Sequence, residues 1–517
     1  MSSNSNLSRV NWDKLSRYLS LGMLSLGILV RIVQYLSNRS FWGDEVNLAL
    51  NIIERSYGEL AQVLNNNQAA PLGFLWLEKL ATQIWGNSEY VLRLLPFIAS
   101  IVSLILFWRL VKSYSSAWAA PIAIALFAGG RYTLYYATEL KPYSSDVAIA
   151  LLLFWLLVKS RQQILPAKEL FRLSAVGSVA IWLSYPSIFM LSGLEGWNFL
   201  TSPTRYWRKI IINRWGMYLS WVVSFGCFYW VAISKTLGNE ELNSSWSSRY
   251  PDSGVDILWL FDALGRFFYH PLGFLGLTDG VGILAFIVGC VVCYRRHRNL
   301  FLALIAPFAA TIIAAYLQKY PFRDRLILFL APFGIMIVAE GIALMLSQIN
   351  HLRLNNFAKW SGLFSLIGII CLCFLTLPAV YRASNFIVNP EQKHELKPVL
   401  EYVVEQYQPT DKIYVYDEGN QAFLYYAKLK GYDHLDYTHG TTNFDDQEKK
   451  LADKHRQLAK DLQPLIGHQV WFILRADTTA EQEIIEYLDR NGKRKDYFPQ
   501  TGASAYLYQL YGLGFRD

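Results

Sequence analysis

Cysteine is scarce in this sequence, and its positions exclude a disulfide-stapled protein. The chain has 5 cysteines in 517 residues, and each lies in or beside an apolar run, with none in the polar tail from residue 381. A disulfide framework is therefore not indicated. The pair Cys290-x-x-Cys293, at the edge of an apolar run, is interpreted as a packing feature rather than a redox centre.

Charged residues are also few, at 17% of the chain against 53% hydrophobic residues. Long apolar runs recur to about residue 380 and then stop, which is typical of a polytopic membrane protein with a soluble tail. The net charge of +8 does not indicate nucleic-acid binding, because the basic residues lie in short clusters between apolar runs. No glycine-rich phosphate loop or long repeat is evident. The first apolar run lacks a convincing cleavage site for a signal peptide, so we interpret it as a retained helix.

The apolar runs predict about eleven transmembrane helices, each near the ~20 residues that a bilayer requires. Arg9 and Lys14, before the first run, predict a cytoplasmic N-terminus. Every strong basic cluster between later spans then falls on the cytoplasmic side. The predicted spans are 18–36, 89–109, 115–130, 143–158, 170–185, 186–200, 213–234, 279–294, 300–317, 326–347 and 360–380.

This alternation leaves four segments and the tail on the exterior side: 41–88, 131–142, 235–278, 318–325 and 381–517. Residues 45–57 and 71–85 have an apolar pattern of helical period but are too polar to span, so we expect amphipathic helices in the membrane interface. A further interfacial helix is expected within 256–276. The chain is therefore predicted to divide into a transmembrane domain, 1–380, and a soluble extracytoplasmic domain, 381–517.

The tail alternates between helical and strand patterns, which predicts a small α/β domain. Strands are expected at 412–416, 469–474 and 505–508, and helices at 391–407, 420–429, 445–462 and 479–491.

Two adjacent carboxylates, Asp44 and Glu45, follow the first span where the chain leaves the bilayer. A carboxylate at that position can accept a proton from an attacking hydroxyl or bind a metal ion. The structural alternative is that Asp44 caps a helix that begins at Glu45. Spacing alone leaves both interpretations open.

Other charged residues are predicted on the same side of the membrane. Residues 131–142 hold Arg131, Glu139 and Lys141, and segment 319–325 holds Lys319, Arg323 and Arg325. Arg93 begins the second span. These cations could bind lipid headgroups or snorkel to the interface. They could also offset the negative charge that develops on a phosphate leaving group.

The order of these motifs resembles the GT-C superfamily of membrane glycosyltransferases, which includes protein O-mannosyltransferases, lipid A aminoarabinose transferases and the RgtA/B/C/D-like bacterial group. The similar elements are the Asp-Glu pair after helix one, QAAPLGF at 68–74, SEYVLRLLP at 88–96 and ELKPY at 139–143. The last is similar to the family's Glu-x-Arg-Pro-Tyr element, with Lys141 where arginine is usual. The resemblance is good over residues 18–200, weaker through 200–380 and slight in the tail.

The resemblance implies a transferase that moves a sugar from a polyprenyl-phosphate donor to a glycan, lipid or protein acceptor on the exterior face, with inversion. It implies that Asp44 is the catalytic or acceptor-binding aspartate, with Glu45 and Glu139 as supporting catalytic carboxylates. Arg323, Arg325, Lys319, Lys141, Arg93 and Arg131 are then candidates for binding the donor phosphate. No metal ligand is assigned, although a divalent metal is left open. The expected location is a bacterial inner membrane.

Two other classes are compatible with the sequence. A lipid or lipid-linked-sugar flippase would place charges at midmembrane and show repeated halves, whereas the polar clusters here lie mostly on one face. An envelope assembly protein without enzymatic activity would use the tail as its working part.

Overall fold

The protein is mainly helical up to residue 388 and contains a β-sheet between residues 412 and 510. The computed structural model describes residues 12–161, 164–238, 244, 246–347, 358–416, 419–432, 435–442, 444, 450–476 and 478–511. The predicted class, a polytopic helical membrane protein with an α/β unit at the C-terminal end, is confirmed.

The longer helices before the sheet are α1 (Trp12–Leu36), α2 (Gly43–Glu54), α3 (Leu72–Trp85), α4 (Leu94–Tyr114), α5 (Ala119–Gly129), α6 (Tyr143–Lys159), α7 (Ala167–Leu183), α8 (Ser187–Leu200), α9 (Thr204–Phe228), α10 (Ile257–Tyr269), α11 (Leu277–Tyr316), α12 (Ala331–Ser347) and α13 (Ala358–Val388).

By length and composition, six helices within the described residues can cross a membrane, or seven if the bent pair Arg131–Thr138 and Tyr143–Lys159 forms one span. The prediction of about eleven spans also counted the shorter apolar helices α5, α7 and α8. It counted α11 twice, and that helix is kinked at His297. The predicted division between α7 and α8, at Ser184-Tyr185-Pro186, is confirmed.

The predicted interfacial helices correspond to α2, α3 and α10. Asn66 and Asn67 both adopt positive φ between α2 and α3, a conformation that asparagine tolerates better than most residues. The carboxylate of Asp256 caps α10 by accepting the amide of Trp259 at 2.9 Å. These local signals place the breaks and helix starts near their predicted positions.

Close helix packing builds the middle of the membrane body. A Cβ atom at Gly289 of α11 would lie 1.9 Å from the carbonyl oxygen of Ile337, and one at Gly341 of α12 would lie 1.9 Å from that of Ala285. The two helix backbones can therefore touch only because both positions are glycine. On α9, by contrast, Val222 and Val223 are exposed, as suits a face in contact with lipid.

The C-terminal sheet has the order β2-β1-β3-β5-β4. Its first three members are parallel, and β5 pairs antiparallel with both β3 and β4. The strands are β1 (Lys412–Val415), β2 (Tyr437–His439), β3 (Gln469–Leu474), β4 (Gly492–Gln500) and β5 (Ala503–Leu510), with helices α14 (Leu396–Gln406), α15 (Asn420–Lys430), α16 (Leu451–Leu462) and α17 (Thr479–Asn491).

The three predicted strands are confirmed as β1, β3 and β5, whereas β2 and β4 were not predicted. Both are edge strands, and β4 carries three consecutive basic residues and Pro499. Lysine and proline are tolerated at sheet edges, so they do not identify a strand by pattern. The first residues of the predicted helix 445–462 lie outside the described residues.

The C-terminal unit packs against the segment that leads into α2. The hydroxyl of Tyr426 accepts the amide of Phe41 at 2.6 Å, and that of Tyr425 donates to the carbonyl of Asn87 at 2.8 Å. Lys397 pairs with Glu89 at 2.9 Å. Contacts across more than 300 positions thus join the C-terminal unit to Phe41, just before α2, and to residues 87–89, after α3.

Candidate active site

Asp44 and Glu45 occupy the first turn of α2, where the helix dipole favours acidic side chains. The N-cap residue is Trp42, so the interpretation of Asp44 as the cap is wrong: the helix begins earlier, at Gly43. Because successive residues of a helix point roughly 100° apart, the two carboxylates face different surroundings.

Glu45 is fully buried in a bidentate ion pair with Arg93. The Nε–Oε1 and Nη2–Oε2 distances are 2.8 Å and 2.6 Å, and Oε1 also accepts the amide of Leu140 at 2.9 Å. Burial raises the pKa of Glu45, but Arg93 outweighs it, and the net direction is downward. Glu45 therefore connects the start of α4 to the loop before α6 as an ionised, structural carboxylate.

Asp44 lies beside two cations and remains partly exposed. Its Oδ2 atom is 2.9 Å from Nη1 of Arg325 and 3.9 Å from Nζ of Lys141. Partial burial acts to raise the pKa of Asp44, but the charges of Lys141 and Arg325 together hold it below the usual value. Asp44 is therefore ionised at neutral pH.

Glu139 and Lys141, in the loop before α6, are both buried. Glu139 accepts the indole N–H of Trp42 at 3.0 Å, and Lys141 donates to Oε1 of Gln68 at 2.6 Å. Burial, reinforced by the charge of Glu45, raises the pKa of Glu139 to about 7. Glu139 is thus the carboxyl of this group that changes charge near neutrality.

A cavity of about 1530 Å³ opens beside Asp44, larger than the ~300–1,000 Å³ of ordinary small-molecule pockets. One part of its wall is charged and another is aromatic and aliphatic. The charged and histidine residues lining it are Asp44, Lys141, Asp146, Arg249, His270, Lys319, Asp324 and Arg325. The apolar and aromatic part includes Tyr136, Tyr143, Tyr185, Ile188, Phe189, Phe225, Tyr229 and Leu326.

The predicted cations divide into two groups. Arg325, Lys141 and Lys319 line the cavity. Three others have different surroundings: Arg93 is occupied by Glu45, Arg323 pairs with Asp262 at 3.0 Å, and Arg131 is exposed with its guanidinium 5.7 Å from the ring centroid of Tyr132. None of these three is among the described residues that line the cavity.

Several ionisable residues in or beside the cavity were missed from the sequence, among them Arg249, His270 and Lys393. Arg249 lines the cavity and pairs with Asp324 at 3.2 Å. His270 lines it with its ring centroid 3.5 Å from that of Tyr132, and burial lowers the pKa of His270 to about 4. Lys393 lies behind Trp42, with Nζ 3.7 Å from the ring centroid. No local motif marks any of them, since each is isolated in a segment without a resembling element.

The arrangement suits proton transfer and anion binding. An ionised carboxylate lies within reach of two cations at the wall of a large cavity, and a second carboxyl behind it titrates near neutrality. Among the described residues, no three His, Cys, Asp or Glu side chains come together as a metal-binding group.

The helical body, with a cavity lined by acidic and cationic side chains, has the GT-C-like membrane fold expected from the motifs. The resemblance drawn from the motifs is confirmed by comparison with known proteins. Residues 69–232 match the family described as dolichyl-phosphate-mannose-protein mannosyltransferase. No curated protein matches the chain by sequence.

Two solved structures share the fold over most of the chain. ArnT from Cupriavidus metallidurans bound to undecaprenyl phosphate is 11% identical, with a TM-score of 0.50 over 99% of this chain and 100% of that one. The oligosaccharyltransferase AglB from Archaeoglobus fulgidus, in complex with an inhibitory peptide and a dolichol-phosphate, is also 11% identical, with a TM-score of 0.50 over 95% of this chain and 74% of that one.

Proposed function

We propose that this protein transfers a sugar from a polyprenyl-phosphate donor to an acceptor hydroxyl, with inversion, on the exterior face of a bacterial inner membrane. The observation that carries the proposal is the position of Asp44 at the cavity wall, 2.9 Å from Arg325 and beside Lys141. The family match and the two structural relatives named above support a lipid-phosphate donor.

The cavity has the two chemical characters that such a donor requires. Arg325, Lys141 and Lys319 offer positive charge to a phosphate, while the aromatic and aliphatic wall offers contacts to a polyprenyl chain. Each buried methylene contributes roughly 0.8 kcal/mol. The lipid would lie among the helices with its phosphate at the charged part of the cavity.

In this mechanism Asp44 accepts the proton of the acceptor hydroxyl. The acceptor oxygen forms a bond to the anomeric carbon while the bond from that carbon to the phosphate oxygen breaks. The electron pair of the broken bond stays on the lipid phosphate, next to Arg325 and Lys141. Attack from the face opposite the leaving group inverts the anomeric centre.

Donor binding also prepares the base. In the protein without donor, Arg325 and Lys141 hold the pKa of Asp44 low, which makes Asp44 a weak base. A phosphate shared between these two cations gives them a second anionic partner and weakens their hold on Asp44. The proton affinity of Asp44 rises when the donor is in place.

The test is transfer from a panel of polyprenyl-phosphate hexoses and pentoses, measured as donor consumption in membranes that contain Asp44→Asn. We expect a loss of about 10²–10⁴-fold, the usual contribution of a general base. Asp262→Asn is the matched control, because Asp262 is half exposed and pairs with Arg266 and Arg323.

Full transfer by Asp44→Asn would remove Asp44 from the mechanism. Movement of the lipid across the bilayer without any glycosylated product would instead favour the flippase.

A further inference from the structure

The C-terminal domain contributes a side chain to the membrane site. We propose that Lys393, in the segment joining α13 to α14, is a positioning residue that holds Trp42 and Glu139 behind Asp44, and that the C-terminal β-hairpin fixes Lys393 in place. This inference rests on the proposed function, since it assigns a role within the same site.

The ammonium of Lys393 lies between two aromatic rings of the membrane domain. Its Nζ atom is 3.7 Å from the ring centroid of Trp42 and 4.2 Å from that of Tyr135, and it donates to the hydroxyl of Tyr135. A partly desolvated cation over two aromatic faces is held more strongly than one in water. Lys393 is only partly exposed, so this contact lies mostly inside the protein.

Trp42 connects Lys393 to two acidic residues of the site, Glu139 and Glu45. Its indole N–H donates to Glu139 at 3.0 Å, and its carbonyl accepts the amide of Glu45 at 2.8 Å as the first bond of α2. In the sequence, Asp44 lies between Trp42 and Glu45. A shift of Trp42 would therefore move the turn that presents Asp44 to the cavity.

The residues on both sides of Lys393 are bonded to the end of α1 and to the segment that joins α1 to α2. Gln34 and Glu391 exchange two hydrogen bonds, each 3.0 Å. Glu395 accepts the amide and the hydroxyl of Ser40 at 3.2 Å and 3.1 Å. The position of Lys393 is thus set by contacts within three residues on either side.

The turn between β4 and β5 closes over the same segment. The carbonyl of Thr501 accepts the amide of Glu395 at 2.9 Å. Gly502 has φ of +70°, and a Cβ atom there would lie 1.9 Å from the carbonyl oxygen of Lys393. Only glycine permits this approach, so the hairpin rests directly on the backbone of Lys393.

The charge of Lys393 also acts on the carboxyl that titrates near neutrality. Lys393 works to lower the pKa of Glu139, against burial and the charge of Glu45, which raise it. The other groups that act on Glu139 electrostatically are Arg39, Lys141, Tyr135, Tyr136 and Tyr143. Lys393→Met changes none of these residues chemically, so it removes one positive charge from the set that acts on Glu139.

The test compares Lys393→Met, Lys393→Arg and Gly502→Ala in the full-length protein, using the donor of the wild-type reaction. For Lys393→Met we expect kcat to fall up to about 100-fold, the cost of a small misplacement of reacting groups, with the donor KM little changed. The rising limb of the pH profile should move to higher pH. Lys393→Arg should restore part of the rate, and Gly502→Ala should lower kcat without any change of charge.

Lys428→Met is the control, because Lys428 pairs with Glu54 at 3.3 Å across the same domain contact but is exposed and away from Trp42. Equal kinetics and pH profiles for Lys393→Met and Lys428→Met would overturn the role of Lys393. Wild-type kinetics for Gly502→Ala would overturn the role of the hairpin. If Lys393→Met does not fold, Lys393→Arg and Gly502→Ala carry the test. An inactive wild-type protein would count against the proposed function, which separates the two failures.

Discussion

Two neighbouring regions of the site use the same kinds of charge for different purposes. Around Glu45, the carboxylate and Arg93 are both almost completely buried and bind each other through two hydrogen bonds. Around Asp44, the carboxylate and Arg325 retain 26% and 31% side-chain exposure and line the cavity. The comparison teaches that adjacent acidic residues separate into a structural partner and one that a ligand can reach.

The largest expected effect is the loss of stability when the buried ion pair between Glu45 and Arg93 is removed. Arg93→Met leaves Glu45 as an unpaired charge in the interior, which typically costs about 3–5 kcal/mol. We expect a lower thermal midpoint and less monodisperse protein in detergent. Arg325→Met serves as the comparison, since its partner Asp44 retains access to the cavity and to Lys141.

Adding Glu45→Gln to Arg93→Met should recover part of the lost stability, because the buried charge is removed. If Arg93→Met melts like the wild-type protein, the structural role assigned to this pair is wrong.

The next effect concerns the two arginines of one short segment. Arg325 faces the cavity, whereas Arg323, two residues earlier, pairs with Asp262. Loss of a charged hydrogen bond to phosphate costs about 1.5–3 kcal/mol, or roughly ten- to hundredfold in affinity. We expect Arg325→Met to weaken polyprenyl phosphate binding by that factor.

Arg323→Met should bind polyprenyl phosphate nearly as well as the wild-type protein in the same titration. Equal losses in both variants would mean that the phosphate is not held on the Asp44 side of the segment.

The smallest expected effect is a pH dependence of sugar transfer that arises at Glu139, between the surroundings of Glu45 and those of Asp44. Glu139 has a pKa of about 7, and its ionised form is the stronger acceptor for the indole N–H of Trp42. Protonation below neutrality therefore loosens Trp42, and transfer should rise severalfold between about pH 6 and 8. Glu139→Gln should remove this step. A step of unchanged size and midpoint in that variant would assign the titration to another group.

Local signals in the sequence predict much of the fold and one part of the site. Asn66 and Asn67 mark a break, and apolar runs mark the long helices, because turns and spans depend on short stretches of chain. The motif at 139–143 and the cations at 319–325 place Lys141 and Arg325 on the side of Asp44. Their common side follows from counting spans, without knowledge of any contact.

The remaining part of the site depends on contacts between distant residues. Lys393 meets Tyr135 across 258 positions, and no periodicity or spacing reports such a pair. Arg323 and Arg325 are alike in sequence, and only tertiary packing shows that Asp262 occupies one while Asp44 occupies the other. The same applies to Arg93, whose guanidinium is taken by Glu45 and is not open to a ligand.

The most direct test of the account is a structure of the protein in lipid nanodiscs with bound polyprenyl phosphate. We expect the phosphate within hydrogen-bonding distance of Arg325 or Lys141, with the lipid chain along the aromatic wall of the cavity. A phosphate bound elsewhere, with Asp44 and Arg325 still paired and the cavity free of lipid, would contradict it.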